Sequence, residues 1–97
     1  MEVKVRFFTN LREIVDKREE TLTFPDDGKI TVNLVLEKLS KKYGAPFNEY
    51  VYADKTRQPK NFLQFLINGT STSTLNGLET VLRDGAVLAI LPPVGGG

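Results

Sequence analysis

Val3, Val5 and Phe7 alternate with Lys4, Arg6 and Phe8, a period of two that predicts a first strand with one buried face. Leu11, Ile14 and Val15 stand three and four apart within Leu11-Arg12-Glu13-Ile14-Val15, the spacing of a short helical turn. The charged run Asp16 to Glu20 reads as a solvated turn. Thr21 to Phe24 reads as a second strand, ended by Pro25 and the turn signal Asp26-Asp27-Gly28, so the first two strands are expected to form a hairpin. From Thr31 the period lengthens. Val32, Val35, Leu36, Leu39 and Tyr43 fall at offsets of 0, 3, 4, 7 and 11, which places them on one face of a helix. Thr31 is a good N-cap, and Lys41 and Lys42 match the negative end of the helix dipole. Gly44 can take the left-handed cap position, and Pro46 prevents continuation. Between 46 and 62, Phe47, Tyr50 and Val51 suit a short helix, while Asp54 to Asn61 is polar and turn-like. Leu63, Phe65 and Ile67 alternate as a third strand closed by the hairpin signal Asn68-Gly69. Thr70 to Leu75 is rich in small hydroxyl residues, which form loops and strand edges, and it is assigned no function. Leu78, Val81 and Leu82 lead to the turn Asp84-Gly85, and Ala86 to Leu91 is a final strand apolar on both faces. Such a strand belongs at the centre of a sheet or under a cover on its second face.

This order of elements predicts an α+β roll of ubiquitin type: a mixed sheet, one main helix on one face, and the first and last strands adjacent at the centre. If Val3, Val5 and Phe7 face the helix, Lys4, Arg6 and Phe8 lie on the open face. The same alternation adds Leu66, and it adds Val87, Ala89 and Leu91 if Leu88 and Ile90 point inward. An apolar patch of this kind marks a partner interface, unless segment 46–62 covers it. Its expected core members are Phe8, Leu66 and Leu91.

Composition narrows the chemistry. The 97 residues make one domain, expected over 1–91, with a flexible tail over 92–97, and so small a body leaves little room for a substrate pocket of its own. With no cysteine and no histidine, the chain has no disulfide, no Cys/His metal site, no thiol nucleophile and no Ser-His pair. Asp26-Asp27 is the one pair of adjacent carboxylates considered for acid/base work, and beside Gly28 it reads as a turn former. Thirteen Lys and Arg against twelve Asp and Glu leave a net charge of +1 and no basic cluster beyond Lys41-Lys42, so nucleic acid is not an expected partner. No apolar run approaches the roughly 20 residues of a membrane span, and Met1-Glu2-Val3-Lys4 opens into a strand rather than a signal peptide. A cytoplasmic protein without a membrane partner is expected.

The distinctive segment is the ending, Leu91-Pro92-Pro93-Val94-Gly95-Gly96-Gly97. Pro92 and Pro93 lack an N–H, so they end sheet pairing and aim the last residues away from the body. Gly95, Gly96 and Gly97 have no Cβ and can lie extended in a channel too narrow for side chains. Terminal glycines can also be a frayed end; directly after a strand and with nothing beyond them, they read here as a segment made for insertion.

The opening Val3 to Phe8 with Leu11-Arg12-Glu13, then Ile67-Asn68-Gly69, Asp84-Gly85 and the Pro-Pro-Val-Gly ending occur in one order over nearly the whole chain. In this the chain resembles the β-grasp sulfur carriers, above all the small subunit of molybdopterin synthase. The double proline sets it apart from the shorter thiamine-biosynthesis carrier. Segment 46–62 is long against compact bacterial members and is similar to the archaeal branch, whose members also act as ubiquitin-like modifiers. Three glycines stand where two are usual, which leaves Gly96 or Gly97 as the working end.

The resemblance implies that the protein is not catalytic alone and holds no cofactor or metal of its own. An adenylyltransferase similar to a ubiquitin-activating enzyme would supply ATP, magnesium and the catalytic groups. The carboxylate of Gly97 would become an acyl adenylate and then a thiocarboxylate. Gly95 and Gly96 would form the slender approach, with Pro92, Pro93 and Val94 as its root. The large synthase subunit, in a heterotetramer, would receive the tail and pass sulfur to a pterin precursor. Two other roles share the activation chemistry: a protein modifier joined to target lysines, and a sulfur carrier for tRNA thiolation. A plain β-grasp interaction domain without chemistry is the third alternative.

Overall fold

The computed structural model describes residues 1–26, 28–53 and 58–92. Its five-stranded sheet is built from β1 (Glu2–Phe7), β2 (Glu19–Thr23), β6 (Gln64–Ile67), β7 (Thr70–Ser71) and β9 (Ala86–Leu91), in the order β2-β1-β9-β6-β7. The doubly apolar strand β9 is central. It runs parallel to β1, with Val3 opposite Ala86 and Phe7 opposite Ile90, and antiparallel to β6. Two short pairings close the periphery, β3 (Ile30–Thr31) with β8 (Val81–Leu82) and β4 (Tyr52–Ala53) with β5 (Gln58–Pro59).

Three helices cover one face: α1 (Thr9–Val15), α2 (Val32–Tyr43) and α3 (Ala45–Val51). The twelve-residue α2 is the main one, and its expected stripe is real, with Val32, Val35, Leu36 and Leu39 completely buried. They meet Val3, Val5, Phe7, Leu88 and Ile90, whose strand alternation sends them to the same side. Phe47 and Val51 of α3 complete this core, and α3 packs against α1 and α2. Thr31 caps α2 by accepting a hydrogen bond from the Leu34 N–H at 3.2 Å. At its other end Gly44 has φ 73° and ψ −146°, a positive φ but not the left-handed helical basin. That conformation, open to glycine, turns the chain directly into α3 with Pro46 in the first turn.

Two expectations are corrected. The segment Asp16 to Glu20 is not all solvated turn: β2 begins at Glu19, and Glu20 is buried opposite Val5. β1 and β2 pair antiparallel as expected, but α1 intervenes between them, so they are not joined by a tight hairpin turn. The Asn68-Gly69 turn does join β6 and β7, with φ of 50° and 87°, the two positive values of a type I′ turn.

Candidate functional site

Ladder register assembles the open face. Lys4 pairs with Val87, Arg6 with Ala89, Ala89 with Leu66, and Leu91 with Gln64, so all of them project to the side without helices. Phe8 comes one step beyond the Phe7–Ile90 pair, level with Leu91, in extended conformation (φ −130°, ψ 151°) as the cap of α1. Phe8, Leu66, Val87, Ala89 and Leu91 are each half-buried, which makes the apolar strip shallow and continuous across the middle of the sheet. Arg6 is exposed along one side of it. Lys4 makes a solvent-exposed ion pair with Glu19 at 3.2 Å, an interaction of small energy. The helix α3 lies on the opposite face, so the first part of segment 46–62 does not cover the strip; Asp54 to Arg57 lie outside the described residues.

The strip leads to the tail. Pro92, half-buried, directly succeeds β9. Pro93, Val94, Gly95, Gly96 and Gly97 lie outside the described residues. Of the expected site residues, the structure therefore brings Phe8, Leu66, Leu91 and Pro92 to one region. Val87 and Ala89 belong to the same strip, and the period-two pattern of β9 is the signal that finds them.

Titratable groups cluster elsewhere. Glu20, on the helix side of β2, accepts hydrogen bonds from Lys17 at 3.1 Å and from Lys42 and Tyr43. Burial acts to raise its carboxyl, but donation by Lys42, Tyr43 and Lys17 outweighs burial and holds it below the ordinary value. Burial, and then the Glu20 carboxylate, push the Tyr43 hydroxyl up. Every member is engaged with the others, so this cluster ties the edge strand to the end of α2 rather than serving as an acid/base pair. Asp26, exposed, accepts from the Met1 amino group at 2.6 Å, and Asp27 lies outside the described residues. Among the described residues no group of three or more acidic or other metal-ligating side chains could hold a metal ion, and no helix is long and apolar enough to cross a membrane.

The geometry is that of a ubiquitin-like β-grasp fold. A model of the ThiS family matches residues 5–97, and the chain belongs to that family of ubiquitin-like sulfur carriers. It is 32% identical over 97 residues, all of each chain, to small archaeal modifier protein 3 of Haloferax volcanii. It is 33% identical over 72 residues to a candidate sulfur carrier protein of Archaeoglobus fulgidus, covering 74% of this chain and 80% of that one. The solution structure of small archaeal modifier protein 1 from Methanosarcina acetivorans matches it with a TM-score of 0.80 at 37% identity, over 99% of this chain and 96% of the other.

Proposed function

We propose that the chain is a carrier that works through the carboxylate of Gly97. What supports the reading is the family match through residue 97, which takes in the whole Pro92–Gly97 segment directly beyond the central strand and its apolar strip. A carboxylate is a poor electrophile. Its oxygen first attacks the α-phosphorus of ATP on a partner adenylyltransferase, releasing pyrophosphate and giving an acyl adenylate. A sulfur nucleophile then adds to the acyl carbon and expels AMP, leaving a thiocarboxylate. This chain supplies the acyl group and the docking strip; nucleotide and magnesium belong to the partner.

The Leu91-Pro92-Pro93-Val94 ending favours sulfur donation to a pterin precursor within molybdopterin synthase, with the large subunit as second partner. A second reading, isopeptide attachment to target lysines, is favoured by the small archaeal modifier proteins among the relatives. A sulfur carrier for tRNA thiolation would use the same first two steps. The test is the intact mass after incubation with ATP, sulfide and the activating enzyme of the same source. Exchange of one oxygen for one sulfur, lost on deletion of Gly95 to Gly97, supports the carrier. An adenylate that takes up no sulfur but forms adducts with lysines supports the modifier. No reaction at all, and no effect of the deletion on partner binding, leaves a plain interaction domain.

A further inference from the structure

A second concave surface lies on the helix side of the fold, far in function from the strip and the tail. Where β2 ends, Phe24, still hydrogen-bonded to Met1, and Pro25 join Ile30 and the outer residues of α2 in lining a cleft of about 400 Å³. Its apolar lining includes Leu34, which is 37% exposed although it stands on the main helix. Among the described residues, its lining carries Lys29, Lys38 and Lys41 against the carboxylate of Glu37. Lys38 is already positioned: its ammonium lies 4.6 Å above the Phe24 ring and donates to the Thr23 carbonyl at 2.6 Å. Among the described residues the ion pairs involve neither Lys29 nor Lys41.

The adjoining strand is an edge. Met1 exchanges hydrogen bonds with Phe24, and Phe7 donates to Arg18, so on β2 the even-numbered residues turn their backbone groups toward β1. The odd-numbered Thr21 and Thr23 therefore turn theirs outward, to a side where, among the described residues, no further strand of the sheet lies; the Thr23 carbonyl there is already engaged by Lys38, and Thr21 faces the open side. An apolar floor, a cationic rim and an open strand edge fit one kind of occupant. We infer that this cleft binds an extended segment of a partner protein in which apolar side chains are followed by acidic ones. The apolar residues would lie on Phe24, Ile30 and Leu34, the carboxylates would meet Lys29, Lys41 and the Lys38 ammonium held at the Thr23 carbonyl, and the backbone would pair with the edge of β2 at Thr21. This contact is non-covalent and independent of the terminal carboxylate, so the protein can be read on one side while its open sheet face is engaged on the other.

The experiment titrates the isotope-labelled full chain with a short synthetic peptide of valine and isoleucine residues followed by a run of aspartates. Saturable amide shifts are expected within residues 21–41 and not at Leu66 or Ala89. Exchanging the aspartates for asparagines, or combining Lys29→Glu with Lys41→Glu, is expected to weaken binding about tenfold, and added salt to weaken it in the same direction. Leu34→Asp is expected to abolish it; unchanged spectra of the unbound variants establish that each is folded, and the surface lysine pair carries the test if Leu34→Asp is not. No saturable shift at millimolar peptide, shifts centred on Leu66 and Ala89, or equal affinity for the lysine variant would overturn the inference. So would changes in residues 21–41 that track protein concentration without peptide, since the cleft would then hold a second copy.

Discussion

Glu20 sits with its side chain 5% exposed, a place where a carboxylate without partners would cost several kcal/mol. Lys17, Lys42 and Tyr43 make the site tenable. Because the folded protein holds this carboxyl below its ordinary value of 4.5, the unfolded chain binds the proton more readily. Its contribution is therefore present above pH 4.5 and is lost as pH falls through the lower folded value. Tyr43 works in the opposite limb: its raised folded value means that stability is present below the ordinary 10.0 and is lost as pH climbs beyond it. Glu20→Gln should lower the free energy of unfolding by about 1–3 kcal/mol at neutral pH. Urea titrations should show the gap closing in acid, and Tyr43→Phe should flatten the alkaline limb; a pH-independent gap would contradict this assignment. The cluster was not legible in the sequence. Asp16 to Glu20 is a run of charges, and only pairing opposite Val5 turns Glu20 inward, toward partners 22 and 23 positions away in the chain.

At the scale of elements, legibility depended on how local each signal is. The α2 helix could be read from its apolar stripe, its Thr31 cap and its Gly44 exit, since each acts within a few residues. Thr31→Ala removes the acceptor for the Leu34 N–H and should cost about 1 kcal/mol, measured by thermal or denaturant unfolding; Thr31→Ser should restore most of it, and equal stability of all three would remove the cap from the account. The two-residue pairs β3–β8 and β4–β5 carry no periodicity, because each strand is too short to alternate. They form where Ile30 meets Leu82 and Tyr52 meets Pro59, contacts set by the packed whole. By contrast, the central place of β9 could be inferred, since a strand apolar on both faces is stable only between neighbours and beneath a cover.

For the whole molecule, the candidate docking strip could be read from alternation once the strand order was inferred, because β1, β6 and β9 each obey the period of two. The chemistry proposed for the tail rests on residue types and family membership, not on local geometry. Leu66→Asp should weaken binding of the activating enzyme at least about tenfold, while shifting the chain's own stability by no more than about 1 kcal/mol. Gly96→Trp should leave stability unchanged and stop formation of the adenylate; normal activation of that variant, tracked by intact mass, would end the idea of a narrow channel. The parallel pairing of β1 and β9 has a mechanical corollary. Five registered pairs join the strands side by side, and Glu2 and Leu91 mark their opposite ends. Tension between Glu2 and Pro92 pulls the two strands past each other and loads those backbone bonds together. Tension between Glu2 and Thr23, neighbours across an antiparallel pair, opens bonds one after another. Single-molecule pulling should need more force in the first geometry; equal forces would refute it. A pull applied between the first strand and the residue that follows the last one thus meets the fold in shear rather than in peeling.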